Sequence, residues 1–305
     1  MPKAFTAEFF DATEQETALP GWEQRFLQLA PNRYHGRVDY LVMPGISVMR
    51  ERVNTTIAQT IMTPRDSVTF AFTVNDDAHW QINAMPLCGV TCSVITGGLE
   101  WVAVCPGGYD IVLVTMRADQ LGWEVRSGFN VLSGYAMKAC LHWLLGLLPN
   151  AAGPTASADE LTELLPEILI EQLASLYFNS TQLEWPGPST SPDYSAFRRL
   201  QARLRGEGDM PLSITALAAD TGMTHQSLHE TVRNTLGINA SVWLKQLRLD
   251  GARRDLLQAG RTGRTVSEIA LQWRFWHLGR FAKYYSAQFH ETPSETLRGT
   301  RLVRA

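Results

Sequence analysis

The sequence has few of the features that mark secreted, membrane-embedded or metal-binding proteins. Four cysteines occur among its 305 residues. No apolar run reaches the length of about 18 residues that a membrane-spanning helix requires. The first residues, MPKAFTAEFFDATEQE, lack the basic segment followed by an apolar segment that forms a signal peptide. We therefore expect a cytoplasmic protein with no membrane partner.

The cysteine pattern favours neither a metal site nor a disulfide. Cys88 and Cys92 are separated by three residues, whereas the paired ligands of common zinc sites are separated by two. Cys105 and Cys140 stand apart from this pair. Because thiols stay reduced in the cytoplasm, structural disulfides are not expected. We expect buried, reduced cysteines; a redox or metal-binding role is the alternative.

Signatures of catalysis are also missing. The sequence contains no G-x-S-x-G turn, no Walker A motif and no dinucleotide-binding fingerprint. His35 and His79 stand alone, without the H-x-H and the later Glu and His that a metal site on strands would require. These observations predict that the chain is not an enzyme and has no cofactor.

The net charge of −3 is distributed unevenly along the chain. Residues 193–305 contain 17 Lys and Arg against 10 Asp and Glu, a net charge of +7. Residues 1–192 contain 10 against 20, a net charge of −10. A basic domain attracts phosphates, whereas an acidic domain repels them. The division predicts two domains, of which the C-terminal one contacts nucleic acid.

A helix-turn-helix pattern occurs twice between residues 210 and 293. In the first copy, Ser213 is a suitable N-cap for one helix, and Gly222 tolerates the positive φ of the turn that ends it. Thr224 is a suitable N-cap for the next helix, which Gly237 ends. The residues with the spacing of a buried helical face are Ile214, Leu217 and Ala218, then Leu228, Val232 and Leu236.

The second copy repeats both apolar faces. The first face recurs at an offset of 52 residues, as Val266, Ile269 and Ala270. The second face recurs at an offset of 53 residues, as Phe281, Tyr285 and Phe289. The difference of one residue falls in the turn, where an insertion costs least.

Two such units joined by a long helical segment at 239–257 resemble the DNA-binding domain of the AraC/XylS family of bacterial transcription regulators. The segment WLKQLRLDGARRDLL is similar to that family's linker helix, and FHETPSETLR is similar to its closing motif. One position departs from the pattern, because Arg274 stands where the family usually has glycine. The resemblance implies a C-terminal all-α domain over 193–305 with two helix-turn-helix units. A weaker similarity, over YHGRVDYLVMPGISVMRERVN, is to the ethanolamine-utilisation regulators.

The N-terminal half has a different pattern. Between residues 33 and 118, short runs of β-branched and aromatic residues alternate with Gly and Pro turns, which is typical of a small antiparallel barrel or sandwich. The resemblance implies a cupin-like barrel there. We therefore expect an α+β protein with a cupin-like antiparallel β-barrel at about 33–118, inside a sensor and dimerisation domain at 1–180. A short helix is expected at 21–30, where Trp22, Phe26 and Leu29 share one side.

Two apolar helices are expected between about 125 and 180, at 131–148 and 159–178. In the family that the chain resembles, such a pair commonly forms the dimer interface, which implies a homodimer. Leu169 and Leu173 lie on the apolar face of the second helix and are the candidate dimerisation residues. The alternative is that both helices cover an open face of the barrel. The stretch 181–192, rich in Pro, Ser and Thr, is predicted to be the interdomain linker.

The second helix of each helix-turn-helix unit enters the major groove with its outward N-terminal residues over the base edges. Gln226 can pair with adenine, Glu230 with cytosine and Arg280 with guanine; solvation is the alternative for Glu230 and phosphate contact for Arg280. The candidate DNA-binding residues are His225, Gln226, His229, Glu230 and Arg233 in the first unit, and His277, Gly279, Arg280 and Lys283 in the second.

The linker helix and the second turn contain further candidates. Arg248, Arg253 and Arg254 are placed to contact phosphate or to solvate the helix surface. Trp273 and Trp276 are expected to be packing residues rather than base readers.

These features predict a sequence-specific transcription regulator, an activator, which binds double-stranded promoter or operator DNA and reads two successive major grooves per monomer. A small-molecule effector in the N-terminal barrel and RNA polymerase are further candidate partners. Two alternatives stay open. One is a regulator gated by protein contact or cysteine oxidation, with no small-molecule ligand. The other is a catalytic cupin fused to a DNA anchor, which would need metal ligands that the sequence does not contain.

Overall fold

The computed structural model of the chain describes residues 3–151, 159–184, 191–205 and 213–302. Its N-terminal part consists of two β-sheets with covering helices, and its C-terminal part is helical. The mixed α+β class expected from the sequence is therefore confirmed. None of the described helices is long and apolar enough to cross a membrane.

Thirteen strands in the described residues form two antiparallel sheets. In chain order they are β1 (Lys3–Phe9), β2 (Glu23–Gln28), β3 (Gly36–Met43), β4 (Ile46–Val53), β5 (Ile57–Met62), β6 (Ser67–Thr73), β7 (His79–Ile82), β8 (Met85–Cys88), β9 (Cys92–Thr96), β10 (Glu100–Cys105), β11 (Tyr109–Arg117), β12 (Phe129–Ser133) and β13 (Thr181–Glu184). The large sheet has the order β1-β3-β4-β11-β6-β9-β12-β13, and the small sheet has the order β2-β5-β10-β7-β8.

The barrel expected at about 33–118 is not closed: the two sheets lie face to face, and no strand pairing joins their edges within the described residues. Val38 and Met49 of the large sheet share one core with Phe26 and Trp101 of the small sheet. The outer face of the large sheet is covered by two helices, and that of the small sheet by the C-terminal helices. Since both faces of both sheets are buried, the layers stack instead of closing on themselves.

Three helices belong to the N-terminal part. They are α1 (Ala12–Gln15), α2 (Tyr135–Ala151) and α3 (Asp159–Asn179). Strand β12 takes the first residues of the helix expected at 131–148, and α3 agrees with the helix expected at 159–178. Helix α2 contacts strands β3, β4, β11 and β12, so this pair covers the large sheet.

Leu169 and Leu173 are fully buried inside one chain, each with 0% exposure. They pack in the core between α2, α3 and the large sheet, together with Leu144 and Val114. Neither side chain has surface available for a partner, so the structure corrects their assignment as dimerisation residues. Their apolar character serves the packing of the monomer.

The helix expected at 21–30 is also wrong. Glu23–Gln28 form β2, an edge strand that pairs with β5 along its whole length. Phe26 points into the core between the sheets, whereas Leu27 packs against the C-terminal helices. Because both faces of this strand are buried, its apolar residues are not restricted to alternate positions, and the sequence pattern imitates a helix.

Seven helices form the described C-terminal part. They are α4 (Pro192–Arg205), α5 (Ile214–Thr221), α6 (His225–Leu236), α7 (Ala240–Thr262), α8 (Val266–Gln272), α9 (Leu278–Phe289) and α10 (Pro293–Leu302). One core contains Leu217, Leu228 and Trp243, and a second contains Ile269, Phe281 and Leu256. The long helix α7 contributes to both cores. The predicted linker at 181–192 includes β13 and the start of α4, and its residues 185–190 lie outside the described part of the chain.

Candidate nucleic-acid interface

The pairs α5–α6 and α8–α9 have the same turn. Gly222 and Arg274 both adopt left-handed backbone conformations, with φ values of 66° and 64°. The next amide closes each turn: Met223 N donates to Ala218 O at 3.0 Å, and Phe275 N donates to Ala270 O at 2.9 Å. Arg274 therefore occupies a backbone conformation that glycine adopts without strain and other residues adopt at a cost of about 1–2 kcal/mol.

Helix α6 presents the first candidate set on one surface. His225, Gln226 and Arg233 are exposed, and His229 and Glu230 are half-buried. Gln226 Nε2 donates to Glu230 Oε1 at 2.9 Å, and the His225 and His229 rings lie 4.5 Å apart. The N-cap Thr224 holds the start of the helix by accepting from the Ser227 amide at 3.0 Å. The five side chains thus share one polar face of α6, four of them in its N-terminal half and Arg233 in its last turn.

Helix α9 presents the second candidate set. His277, Gly279, Arg280 and Lys283 are all exposed, and they extend from the N-cap into the first two turns. The inward face of the same helix is buried through Phe281. The structure therefore brings each candidate set to the solvent side of its own helix, opposite the core that fixes that helix.

The two tryptophans of the second turn behave differently. Trp273 is half-buried, and its Nε1 donates to Asp255 Oδ2 at 2.9 Å. A Cβ at Gly251 would lie 2.1 Å from the Trp273 ring, so only glycine allows this packing on α7. Trp276 is 62% exposed, so its expected packing role is wrong. It stands next to His277 on the candidate surface.

Comparison with known proteins supports the assignment of this domain. A family model described as a helix-turn-helix domain matches residues 217–299, which span both helix pairs. A probable thc operon regulatory protein of Rhodococcus erythropolis is 39% identical over 95 residues, 31% of this chain and 29% of that protein. XylDLEGF operon transcriptional activator 3 of Pseudomonas putida is 27% identical over 159 residues, 52% of this chain and 47% of that protein. The chain thus spans less than half the length of either relative.

Among solved structures, the AraC-like transcriptional activator CuxR is 12% identical and covers 89% of this chain and 100% of its own, with a TM-score of 0.43. The family of the C-terminal domain follows from the matched helix-turn-helix model and the XylDLEGF activators. Over residues 217–299, the helix-turn-helix domain of this chain is similar to that of AraC/XylS-family regulators.

Two of the arginines expected at phosphate instead join the N-terminal and C-terminal parts of the chain. Arg253 donates through Nε to Asp11 Oδ2 at 2.5 Å and through Nη1 to Glu291 Oε1 at 2.6 Å. Arg254 Nη1 donates to Glu16 Oε2 at 2.8 Å. The expected phosphate contact is wrong for both arginines, because their side chains are largely buried and occupied by carboxylates.

The electrostatics of these arginines follow from that burial. Burial alone lowers the pKa of Arg253, but Asp11, Tyr285 and Glu291 outweigh it and the pKa is raised overall. Buried ion pairs of this kind cost desolvation but are strongly destabilising to break. Helix α7 is therefore anchored to the N-terminal part through charge as well as through apolar packing.

Apolar and amide contacts complete the domain boundary. Leu27, Ala58 and Val102 of the small sheet share a core with the helices of the C-terminal part. Gln28 Nε2 donates to Gln288 O at 3.1 Å, and Gln288 Nε2 donates back to Gln28 O at 3.0 Å. The small sheet is thus buried on its outer face by the helical domain.

A second candidate site is a cavity of about 70 Å³ between the two sheets. A single water needs roughly 10–15 Å³ on the same scale, so the space fits several heavy atoms. Its nineteen lining residues include one acid, Glu51, and no Lys, Arg or His. The other polar groups of the lining belong to neutral side chains.

Glu51 lies at the centre of a buried polar network. Gln15 Nε2 of α1 donates to Glu51 Oε1 at 2.7 Å, and Tyr34 donates to Gln15 Oε1 at 2.8 Å. Gln59 Nε2 donates to the Tyr109 hydroxyl at 3.1 Å. Burial raises the pKa of the Glu51 carboxyl, although hydrogen bonds from Gln15, Tyr109 and Gln59 act in the opposite direction.

The sequence analysis did not identify Glu51 as a site residue, although the alternating pattern of β4 indicates that its side chain is buried. Met49 and Val53 lie on the same face of β4 as Glu51 and are buried in the core between the sheets. A carboxylate at an inward position of an alternating strand is rarely solvated, so it indicates a buried site. Its partner Gln15 carries no such signal, because only the fold brings α1 to β4.

The cysteines are free, and three of the four are buried. Burial raises the pKa of the thiols of Cys92, Cys105 and Cys140, the last to about 12. Since the thiolate is the reactive form, these three are poorly placed for oxidation. Cys88 is exposed instead, with Sγ 3.2 Å from His79 Nδ1. No group of three or more potential metal ligands occurs in the part of the chain that is described.

Proposed function

We propose that the chain is a sequence-specific DNA-binding transcription regulator that places α6 and α9 in two successive major grooves. The observation that carries this proposal is the duplicated turn, with an exposed polar helix face after each copy. Successive major grooves on one face of B-DNA are separated by about 34 Å. The net charge of +7 over residues 193–305 supplies the attraction to phosphates.

The residue types on the two faces suit different bases. Gln226 and Glu230 on α6 have the chemistry to pair with adenine and cytosine, although they bind each other in the free protein. Reading a base therefore requires that their mutual hydrogen bond opens. Arg280 on α9 is exposed and has the bidentate geometry that reads guanine.

Activation of transcription is the proposed outcome of this binding. The P. putida relative is described as a transcriptional activator, and its match extends over 159 residues, 52% of this chain. We propose RNA polymerase as a partner on the same ground. Regulation by a small molecule in the N-terminal domain is proposed because the cavity between the sheets contains a buried carboxylate.

We further propose a homodimer that uses the outer face of α3. Leu164 and Phe178 are 51% and 64% exposed on this helix. They are separated by fourteen positions, close to four helical turns, so they lie on one side of α3. This face replaces Leu169 and Leu173, which the core of the monomer occupies.

Footprinting of the full chain on a selected promoter fragment tests the DNA-binding proposal. Each monomer should protect two neighbouring major-groove segments on one face, spanning about two helical turns. Protection of a single groove would contradict reading by both helices. In a variant with Arg280→Ala and Lys283→Ala, one protected segment should be lost while the other is kept. The lost segment would then be assigned to α9.

A further inference from the structure

The turn before α9 contains one residue more than the turn before α6. Phe275 and Met223, whose amides close the two turns, are 52 positions apart in the chain. The N-caps that follow them, His277 and Thr224, are 53 positions apart. Trp276 is therefore the inserted residue, and it has no counterpart in the first helix-turn-helix unit.

The backbone is held on both sides of Trp276. The ring of Phe275, the preceding residue, packs inward with its centroid 5.0 Å from that of Phe281. The carbonyl of His277, the following residue, accepts a 2.9 Å hydrogen bond from the Phe281 amide. The Trp276 side chain between these two anchors is 62% exposed. The insertion thus contributes little to the core of the domain and presents an indole ring to solvent.

Exposed apolar side chains are concentrated around this turn. Residues 214–236, which form the first helix-turn-helix unit, contain no exposed large apolar side chain. Leu278 is 43% exposed at the first position of α9, where α6 has the polar His225. Exposed apolar surface that is clustered in this way marks a binding surface. Nine large apolar side chains are exposed among the described residues, and four of them lie within residues 271–284: Leu271, Trp276, Leu278 and Tyr284.

The charge around this surface favours DNA as the partner that covers it. Residues 269–290 contain no Asp or Glu, and Arg280 and Lys283 are exposed on α9. A surface without acids suits a polyanion, and the N-terminal end of a recognition helix lies over base edges in the major groove. The apolar group that base edges present in this groove is the C5 methyl group of thymine.

We propose that Trp276 and Leu278 read thymine through its C5 methyl group, so that the half of the site bound by α9 requires thymine. This inference rests on the proposed DNA-binding function and names the base and the chemical group that α9 recognises. The half bound by α6 lacks this requirement, because α6 begins with the polar residues Thr224 and His225.

Deoxyuridine substitution tests the proposal with the unmodified full chain. The probe is a DNA duplex that the full chain selects from a random-sequence pool. Each thymine of this duplex is replaced in turn by deoxyuridine, which lacks the methyl group and keeps the same base pair with adenine. At one thymine or more in the segment assigned to α9, the Kd should rise by about 4-fold, the effect of losing one buried methyl group. Thymines in the segment assigned to α6 should tolerate the replacement.

Variants of the two apolar residues show whether they cause this preference. The double variant with Trp276→Ala and Leu278→Ala should bind the thymine and deoxyuridine duplexes equally, and each single variant assigns the position that its residue reads. Tyr135→Ala is the matched control, because it removes an aromatic ring that is 88% exposed in the N-terminal part and should keep the 4-fold preference. Thermal unfolding of every variant shows that it is folded, as expected for truncation of exposed side chains.

Three results would overturn the proposal. They are a change of less than about 2-fold for every deoxyuridine replacement, a full thymine preference in the double variant, and a selected site without thymine in the segment assigned to α9. If the double variant bound DNA normally but lost transcription activation, the surface would belong to a protein partner, and the proposal would again be wrong. All of these results leave DNA binding itself intact. Failure of the full chain to select any sequence would instead contradict the proposed function, and this inference with it.

Discussion

Arg253 of α7 and Asp11, the N-cap of α1, lie 242 positions apart in the chain and are joined by a 2.5 Å hydrogen bond. Glu16, the C-cap of the same short helix, binds Arg254. Between these two residues, Gln15 reaches in the other direction and donates to Glu51 in the cavity. Helix α1 thus connects the cavity between the sheets with the long helix of the DNA-binding domain.

The first prediction concerns this connection. Arg253→Gln should lower the free energy of unfolding by about 3–5 kcal/mol, because it leaves the buried Asp11 and the half-buried Glu291 without this positive partner. Arg198→Gln is the matched control, since Arg198 pairs with Glu100 at an exposed position and should cost at most about 1 kcal/mol. Urea denaturation of both variants measures the difference. Equal effects would show that the α1–α7 contact contributes no more than a surface pair.

The second prediction concerns base reading. Arg280→Ala should cost about 1–3 kcal/mol of binding and relax preference at one base pair, if Arg280 contacts guanine. Binding is measured against a set of single-base operator variants. Arg199→Ala removes an exposed positive charge from α4 and should leave the order of preference among them unchanged. Uniform weakening by Arg280→Ala, with a smaller salt dependence, would assign it to phosphate instead.

The third prediction concerns pH. Burial raises the pKa of Glu51 in the folded state above its value in the unfolded chain. At a pH below the pKa of Glu51 in the unfolded chain, the carboxyl is protonated in both states. Folding then buries a neutral group and pays no penalty for burying a charge. As pH rises through the folded value, the unfolded chain ionises freely while the folded chain is penalised, so stability falls.

Glu51→Gln should therefore stabilise the protein near neutral pH and lose this advantage in acid. Tyr34, Tyr109 and Cys105 near Glu51 have pKa values raised by burial, so they stay neutral over this range. Thermal unfolding of both proteins across the acid-to-neutral range measures the difference. If the stability difference in favour of Glu51→Gln grew toward low pH, it would contradict the raised pKa of Glu51.

The fourth prediction concerns the dimer. A variant with Leu164→Glu and Phe178→Glu should stay folded and sediment as a monomer, because both side chains are exposed on α3. Gln172→Glu, at an exposed position about 100° around the helix axis from the line that joins Leu164 and Phe178, should leave association unchanged. Leu169→Ala should instead destabilise the fold by about 2–5 kcal/mol, as expected for a truncated core leucine. Sedimentation of the unmodified chain as a monomer at micromolar concentration would end the dimer proposal.

The local sequence pattern was sufficient to predict the helices of the C-terminal domain. Gly222 and the apolar faces around it predict α5 and α6, because a helix buries one face at fixed spacing and a turn with positive φ accepts glycine. The second copy confirms the period, even though Arg274 takes the glycine's place with the same backbone conformation. The candidate DNA-binding residues follow from the same periodicity, since the outward face is the complement of the buried one.

Local pattern was not sufficient where both faces of an element are buried. Phe26 and Leu27 are adjacent in β2 and enter different cores, so the sequence there does not alternate as a half-exposed strand would. The sequence correctly predicts that Leu169 and Leu173 lie on an apolar face of α3. Only the tertiary structure shows that this face is covered by the sheet of the same chain and not by a partner.

The contacts that join the domains depend on tertiary structure alone. The sequence determines that Asp11, Arg253 and Glu51 are charged, and that α7 is a helix. It does not determine which charges meet, because a charged side chain on a helix surface is compatible equally with solvent, phosphate or a carboxylate. Only the packing of the small sheet against the C-terminal helices removes solvent from Arg253 and brings Asp11 to it.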